Sequence, residues 1–254
     1  MIASANKIFI LRCFLNILKK SLYFVASLVF NLSKKDPYEI FISEAFYAPW
    51  KVNINFLNFY ENIKNLTMLD YVRLYTIWDN IDNIKDVEGD LIEVGSWKGG
   101  VSMMMGKKLL LDKSKKKVFS YDTFHGVVKS SKLDPFYNDN EHNEADLNKF
   151  QEYLNKFKLK NVKIFSGIYP DNFLKDIDSK TKYCLAHIDV DTYKSAYDSF
   201  KFIWARMPTN GIFIFDDYGF HQTNGIRLCV DNIRKNYNVT FLFLTCGQAV
   251  LIKK

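Results

Sequence analysis

The pattern of apolar and polar positions changes near residue 90. From there the chain contains seven short apolar runs: DLIEVG, KVFSYD, VKIFSG, YCLAHIDVD, GIFIFDD, VTFLFL and AVLIK. The first five are separated by helix-length segments at 100–111, 142–157, 170–178 and 193–206. This alternation predicts right-handed strand–helix–strand units and a mostly parallel sheet with helices on both faces. The last two runs are joined only by TCGQ, which predicts an antiparallel pair at the end of the sheet.

The segment before residue 90 has a helical period instead. The stretch TMLDYVRLYTIWDNI begins with Thr67 and has Asp70 three residues later, which resembles a capping box with Asp in place of Glu. The apolar residues that follow at helical spacing predict a stripe facing the core. That stripe consists of Met68, Tyr71, Val72, Tyr75 and Trp78. We therefore expect one α/β domain over residues 36–254 that begins with helices.

The first 35 residues carry the basic charge of the chain. They contain six Lys or Arg residues and no acid, whereas the whole chain has a net charge of +7. Segment 7–32 is apolar, but Arg12, Lys19 and Lys20 interrupt it, so neither half reaches the roughly 20 apolar residues of a spanning helix. We expect a helical extension over 1–35 that contacts a membrane surface or forms an arm in a homo-oligomer. A signal peptide or a span is the third alternative.

The remainder of the chain is nearly neutral, which argues against a general nucleic-acid-binding protein. Its apolar fraction is high enough for a sizeable core. The cysteines are scattered, with no C-x-x-C motif and no metal-ligand spacing, at Cys13, Cys184, Cys229 and Cys246. They predict reduced, structural thiols and a cytoplasmic protein, peripheral on the inner face of the membrane if the extension contacts lipid.

Several polar residues follow directly on the predicted strands. They are Gly95, Asp122, Asp189, Asp191, Asp216 and Asp217. In open α/β sheets, ligands bind at the carboxyl ends of the strands, near the point where the strand order reverses. The pattern therefore predicts a single site built from four loops.

The first of these loops, EVGSWKGG, joins a strand to a helix. Its spacing is E-x-G-x-x-x-G, which differs from the G-x-G-x-x-G pattern that holds a dinucleotide pyrophosphate. Glu93 at the strand end would repel a pyrophosphate but suits a ligand with positive charge, such as S-adenosylmethionine. Asp122, at the tip of the second strand, predicts an acceptor for ribose hydroxyls. A salt-bridged structural role for Glu93 and a turn-capping role for Asp122 are the alternatives.

Four carboxylates follow the fourth and fifth strands in HIDVDTY and FIFDDYG. If these strands are neighbours, the carboxylates would repel one another and raise one another's pKa. A divalent cation relieves that repulsion, and Mg²⁺ prefers oxygen ligands. The alternative is that Asp191 and Asp217 cap the helices that follow them.

Four ordered motifs, DLIEVGSWKGGVSMMM, SYDTFHG, HIDVDTYKSAYDS and GIFIFDDYG, resemble the macrocin O-methyltransferase family. The resemblance covers about residues 60–252. It implies a Rossmann-like class I methyltransferase fold, with a seven-stranded, mostly parallel sheet and an antiparallel last strand. It also implies an enzyme that uses S-adenosyl-L-methionine and Mg²⁺ to methylate a sugar hydroxyl of a surface glycan or a glycosylated natural product.

The same resemblance assigns residues to roles. The cofactor set it implies is Glu93, Gly95, Trp97, Gly99, Ser102, Asp122, Phe124, Gly167 and Ile168. The metal set is Asp189, Asp216 and Asp217, with Asp191 as the catalytic base. His221 lies in HQTNGIR, which resembles the family only loosely. It is a candidate base or substrate ligand, and the alternative is an ordinary loop or helix-start histidine. The family commonly has D-G-D where this chain has Asp189-Val190-Asp191, so the backbone at the metal site must differ from a glycine-dependent one.

Insert 124–146 and the helical N-terminal region are expected to form the acceptor pocket, because the insert mixes aromatic with polar side chains. Two other functions stay open. One is metal-dependent methylation of a catechol or another small phenol, and the other is a non-catalytic scaffold that retains the fold. An NAD-dependent oxidoreductase is disfavoured because the G-x-G-x-x-G pattern is absent.

Overall fold

The computed structural model describes residues 14, 15, 17–25 and 47–254. Residues 14, 15 and 17–25 are helical, and residues 50–254 form one compact unit. The predicted boundary between residues 35 and 36, and the rest of segment 7–32, lie outside the described residues. No helix within the described ranges is both long and apolar enough to cross a membrane.

Seven strands form one sheet in the compact unit. They are β1 (Asp90–Val94), β2 (Val118–Asp122), β3 (Val162–Ser166), β4 (Tyr183–Ile188), β5 (Ile212–Phe215), β6 (Val239–Phe243) and β7 (Ala249–Lys253). Their order is β3-β2-β1-β4-β5-β7-β6, and only β7 runs antiparallel to its neighbours. Each strand lies within the apolar run that predicted it. The predicted sheet and its antiparallel last strand are confirmed.

Six α-helices cover the two faces of the sheet. They are α1 (Ile54–Ile63), α2 (Tyr71–Asn83), α3 (Gly100–Leu111), α4 (Leu147–Lys156), α5 (Tyr193–Trp204) and α6 (Asn224–Asn236). Buried side chains of α1 to α4 pack in one apolar cluster, and those of α5 and α6 pack in another. Alternate residues of β1 belong to the two clusters, Leu91 to the first and Ile92 to the second, as expected for a strand buried on both faces.

Helix α2 begins later than the capping box predicted, and it buries a different face. Its N-cap is Asp70, which accepts hydrogen bonds from the amides of Val72 and Arg73, so Thr67 lies outside the helix. The buried side chains are Leu74, Ile77, Trp78 and Ile81. Of the predicted stripe only Trp78 is buried; Met68 and Tyr71 are exposed. The buried residues of α2 recur at helical spacing, as predicted, but they lie on a different side of the helix from the predicted stripe.

Two of the predicted helical segments are shorter than expected. Segment 142–157 becomes helical only at Leu147, because Asp146 accepts hydrogen bonds from the amides of Asn148 and Lys149 and thereby sets the N-terminus. Segment 170–178 contains only one 3-10 turn, Asp171–Phe173. Only one side chain of that turn, Phe173, is buried. A longer helix would therefore have no apolar face to pack against the protein.

Candidate active site

The candidate site lies where the strand order reverses, between β1 and β4. The ends of these strands are in close contact. The amide of Asp189 donates to the carbonyl of Val94, and a Cβ atom on Gly95 would lie only 1.8 Å from the carbonyl oxygen of Asp189. Gly95 also has a φ of +85°, a conformation that favours glycine. The loop after β1 therefore approaches the end of β4 closely because residue 95 has no side chain.

Three carboxylates meet at the adjoining strand ends. Strand β5 pairs with β4, and ligand oxygens of Asp189, Asp216 and Asp217 all lie within 4.8 Å of one another. Burial and the neighbouring carboxylates raise the pKa of Asp189 and of Asp217 well above the usual range. Among the described residues, the buried Oδ2 atom of Asp217 has no hydrogen-bond partner. The predicted neighbouring acids are thus together, and one of their oxygens lacks a protein donor.

Asp216 differs from its neighbours because protein groups compensate its charge. The guanidinium of Arg73, on α2, forms an ion pair with Oδ2, and the Gln248 side chain donates to Oδ1 over 2.8 Å. Against the effect of burial, nearby His187 and Arg73 hold the pKa of Asp216 below its ordinary value. Arg73 is itself fixed by Asp70, since its Nε donates to that carboxylate over 3.0 Å. Sequence reasoning missed Arg73 and Gln248, which come from distant parts of the chain.

Asp191 lies beside this cluster in a strained conformation. Its φ is +61°, which is uncommon for a residue with a side chain, whereas Val190 is not in the left-handed region. This chain therefore accommodates D-V-D by placing the left-handed residue at the second Asp. Burial raises the pKa of Asp191 to about 6, although His142 and a hydrogen bond from Tyr137 oppose that shift. Insert 124–146 thus contacts the predicted base, in agreement with its expected place at the site.

The alternative prediction, that Asp191 and Asp217 cap the helices that follow them, is wrong for both residues. The N-cap of α5 is Thr192, and the first amide of that helix, on Tyr193, donates instead to Oδ1 of Asp134 over 2.8 Å. The N-cap of α6 is Thr223. Asp134 is buried and belongs to the insert. The insert therefore caps α5, and this leaves Asp191 and Asp217 for another role.

The cofactor loop is organised by Asp122. Its two carboxylate oxygens accept the amides of Trp97 and Phe124, each over 2.7 Å. Both of these residues have positive φ values, 48° and 55°. Burial raises the pKa of Asp122, and the amide hydrogen bonds of Phe124 and Trp97 oppose this shift. Asp122 therefore holds together two of the loops that were predicted to bind the cofactor.

Glu93 and Ser102 are buried behind this loop. Ser102 donates to one carboxylate oxygen of Glu93, and Nδ1 of His187 lies 3.1 Å from the other. Against the effect of burial, Asp216 and Glu93 raise the pKa of His187 to about 9, and the ring lies between these two acids. Both oxygens of Glu93 already have protein partners. These contacts are those of the salt-bridged structural role that had been the alternative for Glu93.

The other predicted cofactor residues surround the same edge. Gly99 has a φ of +84°, and a Cβ atom there would lie 2.2 Å from the Phe150 ring. Gly167 follows β3, and its amide donates to the carbonyl of Asp122. The amide of Ile168 donates to the Asn172 side chain over 2.6 Å. All three positions therefore have structural contacts that hold the loops around Asp122.

An aromatic rim lies above the carboxylates. We define it as Phe136, Tyr137, Phe220 and His221. The Phe136 ring lies 4.9 Å from the His221 ring, and the Arg73 guanidinium lies 5.2 Å from the centre of the Phe220 ring. Phe136, Phe220 and His221 are exposed. The structure places His221 on the rim, beside Phe136, rather than in the carboxylate cluster.

The donor set fits a hard divalent cation. It consists of carboxylate oxygens on neighbouring strand ends, and the buried Asp217 oxygen that lacks a protein donor would gain a partner. A buried acid without a partner is costly, and a bound cation removes that cost. Asp189 and Asp217 are the better candidates for strong ligands, because Asp216 already has Arg73 and Gln248.

Sequence comparison now gives the family. The model of the macrocin O-methyltransferase (TylF) family matches residues 62–245. The chain belongs to the macrocin O-methyltransferase family. It is an O-methyltransferase, and its methyl donor is S-adenosylmethionine. Among curated proteins, no sequence matches this chain.

Solved structures share the fold of this macrocin O-methyltransferase family member. The O-methyltransferase NovP is 20% identical, with a TM-score of 0.66 over 74% of this chain and 82% of NovP. CalS11, a calicheamicin methyltransferase, is 15% identical, with a TM-score of 0.58 over 87% of this chain and 99% of CalS11. An O-methyltransferase from Bacillus cereus, solved with S-adenosylhomocysteine (SAH), is 13% identical, with a TM-score of 0.53 over 80% of this chain and 94% of that one. These likenesses confirm the predicted methyltransferase fold.

Proposed function

We propose that this enzyme transfers the methyl group of S-adenosylmethionine to a sugar hydroxyl, with the assistance of Mg²⁺. The acceptor would be a surface glycan or a glycosylated natural product. One observation carries the proposal: a buried Asp217 oxygen without a protein donor lies among carboxylates directly beside the cofactor loop. A cation bound there would bring an acceptor oxygen to the edge at which the cofactor binds.

The chain's part in binding the cofactor is to hold two loops in place. Asp122 fixes the amides of Trp97 and Phe124, and the close contact between Gly95 and Asp189 joins the cofactor loop to the metal site. Fixed loops of this kind align the acceptor oxygen with the methyl carbon, which lowers the barrier to an in-line displacement by several kcal/mol. The predicted direct contacts of Gly95, Trp97, Gly99, Phe124, Gly167 and Ile168 with the cofactor belong to this proposal.

Proton transfer is the second task of the chain. A divalent cation held by Asp189, Asp217 and Asp216 would lower the pKa of an acceptor hydroxyl bound to it. Asp191 lies two residues after Asp189 and beside Tyr137 of the insert, where its carboxylate could accept a proton as a general base. The hydroxyl proton would pass to Asp191 as the oxygen–carbon bond forms and the carbon–sulfur bond breaks. Asp191→Asn is expected to retain SAH binding and to lose turnover.

The rim is compatible with a sugar acceptor. Exposed aromatic faces of Phe136 and Phe220 can stack on the apolar face of a sugar ring, and Tyr137 and His142 add polar groups near Asp191. Neighbouring structures support this choice by name: one is described as a TDP-rhamnose 3'-O-methyltransferase. Another is described as a putative caffeoyl-CoA O-methyltransferase from Staphylococcus aureus, so a phenolic acceptor is the second candidate.

Two experiments test the proposal. Calorimetric titration with SAH, with NADH as the control, is expected to show micromolar binding of SAH alone. Transfer of labelled methyl groups is then measured to nucleotide-linked deoxysugars and to catechol, in Mg²⁺ and in EDTA. Transfer to a sugar that EDTA abolishes and Mg²⁺ restores is the expected result. Transfer that survives EDTA would remove the metal from the mechanism, and transfer to catechol alone would replace the acceptor.

The proposal also includes where the enzyme works. A cytoplasmic enzyme would meet S-adenosylmethionine and activated sugars in the same compartment. The three described cysteines are free, and the two buried ones, Cys184 and Cys229, have pKa values raised by burial, which fits reduced structural thiols. We propose no nucleic-acid partner, and we keep a homo-oligomer as an outcome of the experiment described below.

A further inference from the structure

Helical residues 14, 15 and 17–25 expose an unusual amount of apolar surface. Seven large apolar side chains there are 43–65% exposed. They are Phe14, Leu15, Ile17, Leu18, Leu22, Phe24 and Val25. Soluble monomers seldom expose so many neighbouring apolar side chains without a partner surface. This helix therefore presents a surface suited to an apolar environment.

The apolar residues lie on one half of the helix. At about 100° of rotation per residue, the seven side chains fall within an arc of about 180°. Lys19, Lys20 and Tyr23 fall on the opposite half. Ser21 falls within the apolar arc, where its hydroxyl donates to the carbonyl of Ile17. An arc this wide exceeds the narrow a/d seam of a coiled coil. A wide apolar half with Lys residues on the polar half is typical of a helix that lies in a membrane interface.

Charge complementarity identifies the kind of surface. Residues 1–35 contain six Lys or Arg residues and no acid, so the apolar helix lies within a strongly basic segment. Each basic residue near an anionic membrane strengthens binding several-fold, whereas a neutral membrane gives no such gain. We propose that this helix lies on an anionic phospholipid surface, with its apolar half in the acyl boundary and Lys19 and Lys20 at the headgroups. The proposal does not depend on the identity of the methyl acceptor.

Vesicle co-sedimentation of the full chain tests this proposal. The protein is mixed with vesicles of phosphatidylglycerol and phosphatidylcholine, or of phosphatidylcholine alone. The unaltered chain is expected to bind the mixed vesicles at least about tenfold more tightly, and 1 M salt is expected to weaken that binding. Lys19→Gln with Lys20→Gln, and separately Leu18→Ser with Leu22→Ser, are each expected to reduce binding by about tenfold or more.

Matched controls separate this helix from the rest of the surface. Lys175→Gln with Lys180→Gln makes the same charge change, and Leu110→Ser with Leu174→Ser makes the same apolar change, at exposed positions of the compact unit. Neither control should alter sedimentation. The proposal would be overturned if the protein bound both kinds of vesicle equally or bound neither. It would also be overturned if the control variants lost as much binding as the helix variants. A dimer in size-exclusion chromatography that Leu18→Ser with Leu22→Ser converts to a monomer would overturn it as well, since the helix would then be an oligomer arm.

Discussion

Two sets of acids lie at the same edge of the sheet, and they differ in their protein partners. Glu93 and Asp122, at the ends of β1 and β2, have both carboxylate oxygens engaged by groups of the chain. Asp189 and Asp217, at the ends of β4 and β5, lie close together, and Oδ2 of Asp217 has no hydrogen-bond partner among the described residues. The first set has its partners within the protein, and we propose that a bound cation completes the second.

This difference predicts separate roles for the two sets of acids. Acids whose oxygens all bind groups of the protein hold loops in position. Their substitution should lower the free energy of unfolding or displace those loops. Acids that repel one another are destabilising without a cation, and their loss should cost metal binding and turnover but not folding. Substitutions in the two sets should therefore have opposite effects on stability.

The largest effect is expected from Asp217→Asn. Loss of a proposed cation ligand should lower methyl transfer by about 1,000-fold, equivalent to roughly 4 kcal/mol of transition-state stabilisation. SAH affinity should change little, because Asp217 is not part of the cofactor loop. Labelled methyl transfer and SAH calorimetry measure the two quantities, and the exposed Asp176→Asn is the matched control. Normal turnover in Asp217→Asn would remove this residue from the mechanism.

Glu93→Gln should have the next largest effect, on folding. The substitution removes the carboxylate that lies 3.1 Å from Nδ1 of buried His187 and leaves Asp216 as the remaining acid beside that ring, which costs about 3 kcal/mol of unfolding free energy. In Mg²⁺-free buffer, Asp217→Asn should not destabilise the protein, because it removes like-charge repulsion. Urea unfolding of both variants compares them directly. Equal destabilisation of the two would contradict the division of the acids into two sets.

Asp122→Asn should weaken cofactor binding without abolishing folding. Asn offers one acceptor oxygen, so one of the amides of Trp97 and Phe124 would lose its partner. We expect about a tenfold loss in SAH affinity, the equivalent of about 1.4 kcal/mol. Calorimetry measures this loss, with Asp176→Asn again as the control. An unchanged SAH affinity would show that Asp122 does not organise the cofactor loop.

The smallest effect is expected from Val190→Gly, which restores D-G-D. The left-handed residue in this chain is Asp191, so glycine at 190 relieves no strain. The variant should lose about 1 kcal/mol of stability through added backbone freedom, and its Mg²⁺ affinity should stay within about twofold. A large rise in metal affinity would mean that valine distorts the site.

The strands and most helices could be predicted because apolar periodicity is a local property, whereas several helix ends could not. Helix α3 has the predicted bounds, and the strands lie within the apolar runs. The meeting of Asp189 with Asp217 followed from the expectation that β4 and β5 are neighbours, which the structure confirms. The prediction of the buried face of α2 was wrong because Met68 and Tyr71 fit the helical period as well as Leu74 does. Only tertiary packing selects between these faces.

The partners of the acids could not be predicted, because they come from distant segments. Arg73 reaches Asp216 across 143 residues of sequence, and Gln248 approaches the same carboxylate from β7's side of the sheet. His187 lies within a buried strand, where a single histidine gives no sequence signal of its two acidic neighbours. Tyr137 belongs to an insert without periodic structure.

We propose that the β4 and β5 acids bind a divalent cation beside the cofactor. Calorimetric titration of Mg²⁺ into the SAH-bound enzyme tests it most directly, with Asp217→Asn and Asp176→Asn measured in parallel. We predict saturable binding of one ion per chain in the unaltered enzyme and in Asp176→Asn, and its loss in Asp217→Asn. An absence of binding in the unaltered enzyme, or equal binding in Asp217→Asn, would contradict the claim.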